Sequence, residues 1–169
     1  MVAKEGEPMP ADFSDKERLR PTSYSQSKSA AQDLQARAAD IRQKYLKKPI
    51  GKGNVAIADV HLSNNVAFCA GATSRAKSPI PIPPPKSQGG QFEPSLDSRT
   101  RRLMDTDAEY KILSAIAETL ERSYDLEIEG SLYLYTELQP CESCNDVLRQ
   151  FKDKFPNINV DVFWDYPYP

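Results

Sequence analysis

Histidine and cysteine are scarce in this 169-residue chain, and it contains no long run of apolar residues. The single histidine, His61, excludes a Ser-His-Asp catalytic site unless His61 itself serves it. The three cysteines, two of them in one C-x-x-C, do not make a disulfide framework and suit a metal site or a redox pair. Because no stretch reaches about 18 apolar residues, we expect no membrane span. The first residues also lack the apolar segment of a signal peptide.

Composition predicts one compact domain with polar extensions. Hydrophobic residues make up 39% of the chain, so we expect a packed core of about 110–120 residues. Residues 1–22 show no periodicity and are predicted to be a disordered leader, followed by an N-terminal helix within 23–49. Residues 50–169 form the predicted main domain, which contains a long exposed, proline-rich loop at about 76–100.

Hydrophobic periodicity predicts an α/β domain with a mixed β-sheet. Alternating apolar residues indicate a hairpin with strands at 54–62 and 66–72. After the loop, helix and strand patterns alternate over residues 107–123, 131–137, 140–155 and 159–164. We expect the last two helices to pack on one face of the sheet, with the N-terminal helix as a satellite nearby.

Two short segments at the starts of predicted helices carry the residues that point to chemistry. One is Asp107-Ala108-Glu109, and the other is Pro140-Cys141-Glu142-Ser143-Cys144. Residues three apart lie side by side on a helix, so Cys141 and Cys144 can bind one ion together. If both helix N-termini meet at one edge of the sheet, Asp107 completes a three-ligand zinc site with an open position for water. Glu109 is then available as the catalytic acid and base.

Each motif also has a simpler interpretation. Thr106-x-x-Glu109 fits a capping box, in which Glu109 would be structural. A strand, a C-x-x-C and a helix in succession are also typical of a thiol–disulfide oxidoreductase. A third hypothesis is a non-catalytic, zinc-stabilised binding module in which Asp107 closes the site. The combination of the two motifs, with a strand between them, favours the catalytic metal site.

Charge is unevenly distributed, although the net charge is only −2. Residues 51–104 contain seven Lys or Arg and three Asp or Glu, whereas residues 105–169 contain five and fourteen. A nucleic-acid backbone would therefore find its counter-charge on the segment that leads into the first motif. The acidic third could attract a basic protein partner. The candidate contacts for substrate are Ala108, Arg101, Arg102, Tyr135 and Trp164.

Both motifs together resemble the zinc-dependent nucleobase deaminases, which carry H-x-E and then P-C-x-x-C. Asp107 stands where His is usual. The segments 107–113, 134–144 and 147–158 are more closely similar to the C-terminal deaminase domains of bacterial polymorphic toxins. This resemblance covers about residues 50–165, and members of the group also use Asp at the first metal position.

The resemblance implies a cytidine deaminase-like fold, a Zn²⁺ ion held by Asp107, Cys141 and Cys144, and Glu109 as the catalytic residue. It implies hydrolytic deamination of cytosine to uracil, with single-stranded DNA as the expected substrate and double-stranded DNA or RNA as alternatives. It also implies a toxin domain of a secreted effector. Such a domain is delivered into the cytoplasm of a target cell and neutralised by a cognate immunity protein, and no membrane partner is expected.

Two isolated residues are expected to be structural. His61 lies on the first predicted strand, far in sequence from both motifs, and a lone strand histidine is usually satisfied or exposed. Cys69 lies in the apolar run 66–70 and is expected to be a buried small hydrophobic residue.

Overall fold

The computed structural model describes residues 24–167, so the predicted leader at 1–22 lies outside the described residues. Within them, helices and strands follow the predicted order, with ends that differ from the prediction by a few residues. Helix α1 spans Tyr24–Ile41 and continues as a π-helical segment, Arg42–Leu46. The later elements are β1 (Val55–Leu62), β2 (Ala67–Thr73), α2 (Ala108–Ser123), β3 (Gly130–Leu138), α3 (Glu142–Lys154) and β4 (Ile158–Tyr166).

The four strands form one mixed sheet in the order β2-β1-β3-β4. Strand β1 is antiparallel to β2 and β3, whereas β3 and β4 are parallel and are joined through α3. Parallel neighbours need such a crossover because a tight turn cannot join them. The register places Ala56, Thr136 and Trp164 in one row across β1, β3 and β4. This mixed sheet and its helices confirm the predicted α/β, cytidine deaminase-like fold.

Helices α2 and α3 bury one face of the sheet. Even-numbered residues of β1 and β3 point toward them, since side chains alternate along a strand. Helix α2 contributes the apolar stripe that its period of 3.6 predicts. The core of this layer includes Ala58, Val60, Leu62, Leu113, Ile116, Leu120, Leu132, Leu134, Val147 and Phe151.

Helix α1 covers the opposite face, so the molecule has three layers rather than a sheet with a satellite helix. Leu34 and Ala38 pack against Val55, Ile57 and Tyr135, all of them buried. Because Val55, Ile57, Tyr133 and Tyr135 lie on this face, it would expose an apolar and aromatic surface without α1.

The proline-rich segment is anchored at its C-terminal end, although most of its residues are exposed as predicted. Phe92 is only 2% exposed, and its ring centroid lies 6.1 Å from that of Phe151 on α3. The hydroxyl of Tyr110 on α2 donates to the Phe92 carbonyl at 3.1 Å. The segment therefore crosses the outer surfaces of α2 and α3, which the sequence pattern did not predict.

His61 and Cys69 both lie on the side of the sheet that α1 covers. The His61 ring is 6.0 Å from the Tyr133 ring, with an edge-on orientation. Cys69 is half-buried rather than buried, because β2 is an edge strand of the sheet. Among the helices within residues 24–167, none is both long and apolar enough to cross a membrane.

Candidate metal and catalytic site

The N-termini of α2 and α3 meet at one edge of the sheet. Asp107 is the N-cap residue of α2, and Cys141 is the N-cap residue of α3. Asp107 Oδ2 lies 3.6 Å from Cys141 Sγ and 3.2 Å from Cys144 Sγ, and the two sulfurs are 3.4 Å apart. Three potential metal ligands from two separate helices therefore lie within 4.8 Å of one another.

The donor atoms of this cluster fit a zinc ion. Zn–S bonds of about 2.3 Å and Zn–O bonds of about 2.0–2.2 Å separate the ligands of a tetrahedral site by about 3.5–3.8 Å. The observed separations of 3.2–3.6 Å are close to these values. Thiolates and a carboxylate are usual zinc ligands, and three protein ligands are the number found in catalytic sites. Two helix N-termini add positive potential, which stabilises an anionic ligand set.

The three side chains perturb one another's protonation. Burial, reinforced by the charge of Cys141, raises the pKa of Asp107 to about 7. The hydrogen bond between the two thiols lowers the pKa of Cys141 to about 6 and raises that of Cys144. Three acidic groups thus compete for protons in a small volume, and a bound cation would relieve their repulsion.

Glu109 is 2% exposed and is held in one orientation by two donors. Thr136 Oγ1 donates to its Oε2 at 2.7 Å, and Asn54 Nδ2 donates to the same oxygen at 3.1 Å. The other oxygen, Oε1, lies 3.4 Å from Cys144 Sγ and thus faces the cluster. Burial, with the charge of Asp107, raises the pKa of Glu109. A raised pKa suits a group that must both accept and release a proton.

These contacts argue against Glu109 being only a helix cap. A capping box with Glu109 would require Thr106 as the N-cap residue of α2. The N-cap residue is instead Asp107. The Glu109 carboxylate instead accepts hydrogen bonds from the strand side of the fold, through Thr136 and Asn54.

Asn54 and Thr136 are site residues that sequence reasoning missed. The Asn54 amide donates to Thr136 Oγ1 at 2.8 Å, and its Oδ1 accepts from the Leu138 amide at 3.2 Å. Asn54 thereby ties the start of β1 to the end of β3 beside Glu109. The sequence contains one signal for Thr136. It follows Leu132 and Leu134 on the core-facing side of β3, where a polar residue is unusual.

The Thr136→Val variant tests the orientation of Glu109. Valine has a similar shape but cannot donate to the carboxylate, and hydrogen bonds to charged groups contribute about 1.5–3 kcal/mol. We expect the turnover rate to fall about ten- to hundredfold, with zinc content unchanged. The matched Thr119→Val variant, on the exposed side of α2, should keep the full rate. A Thr136→Val enzyme as fast as Thr119→Val would contradict this role.

The structure brings only some of the other predicted substrate contacts to the site. Ala108 is buried at the first turn of α2. Trp164 is 46% exposed and pairs with Thr136 in the register of β3 and β4, on the side of the sheet that Thr136 faces. Arg101 and Arg102 remain exposed on a loop that is closed by a bridge between Leu96 and Leu103.

Tyr135 does not lie in the site, contrary to its prediction as a substrate contact. Its side chain points to the face covered by α1, where it is 3% exposed and packs in the second core. Its hydroxyl donates to Asp165 Oδ2 at 2.6 Å. The sheet therefore separates Tyr135 from Glu109, since adjacent residues of a strand face opposite sides.

A mixed sheet with two helix N-termini that present Asp, Glu and two Cys at one edge is consistent with a cytidine deaminase-like fold. The Toxin-deaminase family, described as the BURPS668_1122 family of deaminases, matches residues 93–165 of this chain. Both motifs lie in the matched segment, and the match supports a toxin deaminase domain. Among curated proteins, none matches the sequence.

Proposed function

We propose that this domain is a zinc-dependent deaminase that converts cytosine to uracil in single-stranded DNA. The observation that carries the proposal is the meeting of Asp107, Cys141 and Cys144 with the Glu109 carboxylate, whose Oε1 lies 3.4 Å from Cys144 Sγ. Hydrolytic deamination needs an activated water and a nearby group that moves protons. These four side chains are suited to supply both.

The proposed roles follow from the positions of the side chains. Asp107, Cys141 and Cys144 would hold zinc, which when bound would make water a better nucleophile. Oε1 of Glu109 accepts a proton from the water that attacks C4, and Glu109 gives this proton to ring nitrogen N3 of cytosine. Glu109 then carries the second proton of the same water to the amino group at C4, which leaves as ammonia. Thr136 and Asn54 hold Oε2 throughout, so the carboxylate needs no reorientation between the two transfers.

The burial of the site supports a single-stranded substrate. Glu109 and Cys144 are each at most 3% exposed, so a target base must leave its stack to reach them. Extrusion costs least from a strand that is already unpaired. Trp164 and Tyr166, each 46% exposed near the end of β4, offer aromatic surface to bases. Arg101 and Arg102, on the exposed loop before α2, are further candidate contacts for the strand.

Trp164→Ala tests the stacking surface. Stacking of a base on an aromatic side chain contributes about 1–3 kcal/mol, so we expect KM for a single-stranded oligonucleotide to rise about five- to hundredfold. Trp164→Phe keeps an aromatic face and should lose less. Thermal unfolding serves as the fold control, since this exposed side chain contributes little to the core. An unchanged KM in Trp164→Ala would remove Trp164 from the substrate path.

The direct test incubates the purified protein with cytosine-containing single-stranded DNA, double-stranded DNA, single-stranded RNA and double-stranded RNA, and measures uracil in each. We expect the highest rate with single-stranded DNA. A higher rate with another nucleic acid would reassign the substrate, and no uracil in any of them would overturn the function.

A thiol–disulfide oxidoreductase is the second candidate, because the two sulfurs are 3.4 Å apart and the pKa of Cys141 is lowered to about 6. Asp107 Oδ2, however, lies 3.2 Å from Cys144 Sγ and 3.6 Å from Cys141 Sγ, which supplies a third metal ligand that a zinc deaminase needs and disulfide exchange does not. This alternative requires a metal-free protein that reduces insulin disulfides. The zinc-stabilised binding module would contain zinc but form no uracil.

We also propose that the domain acts inside a target cell after delivery as part of a secreted effector, and that an immunity protein neutralises it. The match of residues 93–165 to a family of toxin deaminases supports this biology. Residues 105–169 contain fourteen acidic and five basic residues, which suits a basic partner surface. Co-expression with a candidate immunity protein should restore growth of cells that produce the domain.

A further inference from the structure

We propose that a cationic groove beside the site binds the phosphate backbone of the DNA strand whose base enters the site; this inference rests on the proposed function. The groove has a volume of about 950 Å³ and lies between the end of the π-helical segment, the following turn and the turn after β2. Its basic lining residues are Lys44, Lys47, Lys48, Lys52, Arg75 and Lys77. No carboxylate occurs among the lining residues that the structure describes.

Both walls of the groove connect directly to the catalytic side chains. Lys52 stands two residues before Asn54, whose amide donates to Glu109 at 3.1 Å. Arg75 follows Ser74, whose hydroxyl accepts from the Asn54 backbone amide at 2.8 Å. Since consecutive Cα atoms are about 3.8 Å apart, the Cα atoms of Lys52 and Asn54 are separated by less than about 8 Å. Both walls of the groove therefore adjoin Asn54, which orients Glu109.

A buried lysine fixes the second wall to the catalytic helix. Lys111, on the first turns of α2 and 1% exposed, donates from Nζ to the carbonyls of Thr73 and Arg75, each at 2.8 Å. These bonds hold the turn after β2 against the helix that carries Glu109. The Arg75 side chain lies over Gly53, so it reaches toward the first wall.

A buried ion pair fixes the first wall. Arg42 Nη2 lies 2.6 Å from Glu137 Oε1, and the two side chains are 9% and 3% exposed. The same guanidinium donates to the carbonyls of Lys48 and Pro49 at 2.9 Å and of Gly53 at 2.8 Å. These carbonyls therefore face inward, and Glu137 neutralises Arg42. The exposed lysines of the wall keep their charges for an external anion.

The composition of the groove favours single-stranded DNA as its ligand. Six like charges in one groove repel one another, and an anionic strand removes that repulsion. The lining also contains Tyr45 and the apolar residues Leu46 and Pro49, and a basic path combined with aromatic surface is typical of single-strand binding. All six cations precede residue 93, so they lie outside the segment that matches the deaminase family.

The test compares two triple variants that remove the same charge. The groove triple is Lys48→Gln, Lys52→Gln and Lys77→Gln, and the control triple is Lys86→Gln, Arg122→Gln and Lys152→Gln. All six side chains are exposed. Binding of a fluorescein-labelled single-stranded oligothymidine is measured by anisotropy over a salt series, so no reaction interferes. Thermal unfolding and zinc content of both triples serve as fold controls.

We expect the groove triple to raise Kd about tenfold or more, and to reduce the slope of log Kd against log salt by about 2, since each single-strand phosphate contact contributes about 0.7. The control triple should bind as the wild type does. Equal Kd values for the two triples would overturn the proposal. An acidic protein surface would then become the candidate ligand of the groove. Failure of the proposed function is distinct, because it appears as absence of uracil in the wild-type protein.

Discussion

Glu109→Gln is expected to lower the rate of uracil formation by about 10³-fold or more, near the upper end of what general acid–base catalysis contributes. Glutamine has the same shape, and its amide oxygen can accept the hydrogen bonds that Thr136 and Asn54 give to the carboxylate. It cannot, however, take a proton from water or deliver one to the base. The substitution therefore removes proton transfer and leaves the architecture in place.

Three further measurements make this experiment decisive. Zinc content and melting temperature of Glu109→Gln should equal or exceed the wild-type values, because a buried carboxyl with a raised pKa is replaced by a neutral amide. Glu118→Gln, an exposed glutamate on the same helix, should keep full activity. If Glu109→Gln retained a tenth of the wild-type rate, Glu109 would not be the proton carrier.

Cys144→Ser is expected to lose both bound zinc and stability. Cys144 is 3% exposed, and its sulfur lies within 3.4 Å of Cys141, Asp107 and Glu109. A serine hydroxyl does not replace a thiolate ligand at neutral pH, because the thiolate and not the neutral group binds the metal. A metal ion whose free concentration is about 1,000 times its Kd stabilises the fold by about 4 kcal/mol. Cys144→Ser should lose this free energy of unfolding.

The matched control is Cys69→Ser, at the half-buried cysteine on the edge strand. It should keep one zinc per chain, measured by elemental analysis, and its melting temperature should still fall when a chelator is added. Cys144→Ser should show no response to the chelator. Stoichiometric zinc in Cys144→Ser would mean that zinc binds elsewhere in the protein.

Much of the fold followed from local periodicity. The apolar stripe of α2 and the alternation of Leu132 and Leu134 in β3 are visible in the sequence, because burial selects residues at the repeat of each element. The side-by-side position of Cys141 and Cys144 is equally local, since it needs only one helical turn. The two motifs could therefore be found without a structure.

The sequence could not show which face of the sheet a side chain lies on. The alternation of β3 placed Tyr133 and Tyr135 on one side and Leu134 on the other. Only the packing of α2 against the even-numbered residues showed that Tyr135 faces away from the site. The register between β3 and β4 pairs Trp164 with Thr136. No local sequence pattern specifies that register.

By itself, the amino-acid sequence determined the elements, the identity of the metal-ligand candidates and the resemblance to toxin deaminases, because each depends on short segments of the chain. Tertiary structure alone decided that Asp107 meets two cysteines more than 30 residues away, that Asn54 and Thr136 orient Glu109, and that lysines from two turns line one groove. These contacts join distant parts of the chain. They depend on strand order and helix packing, which arise only when the whole core forms.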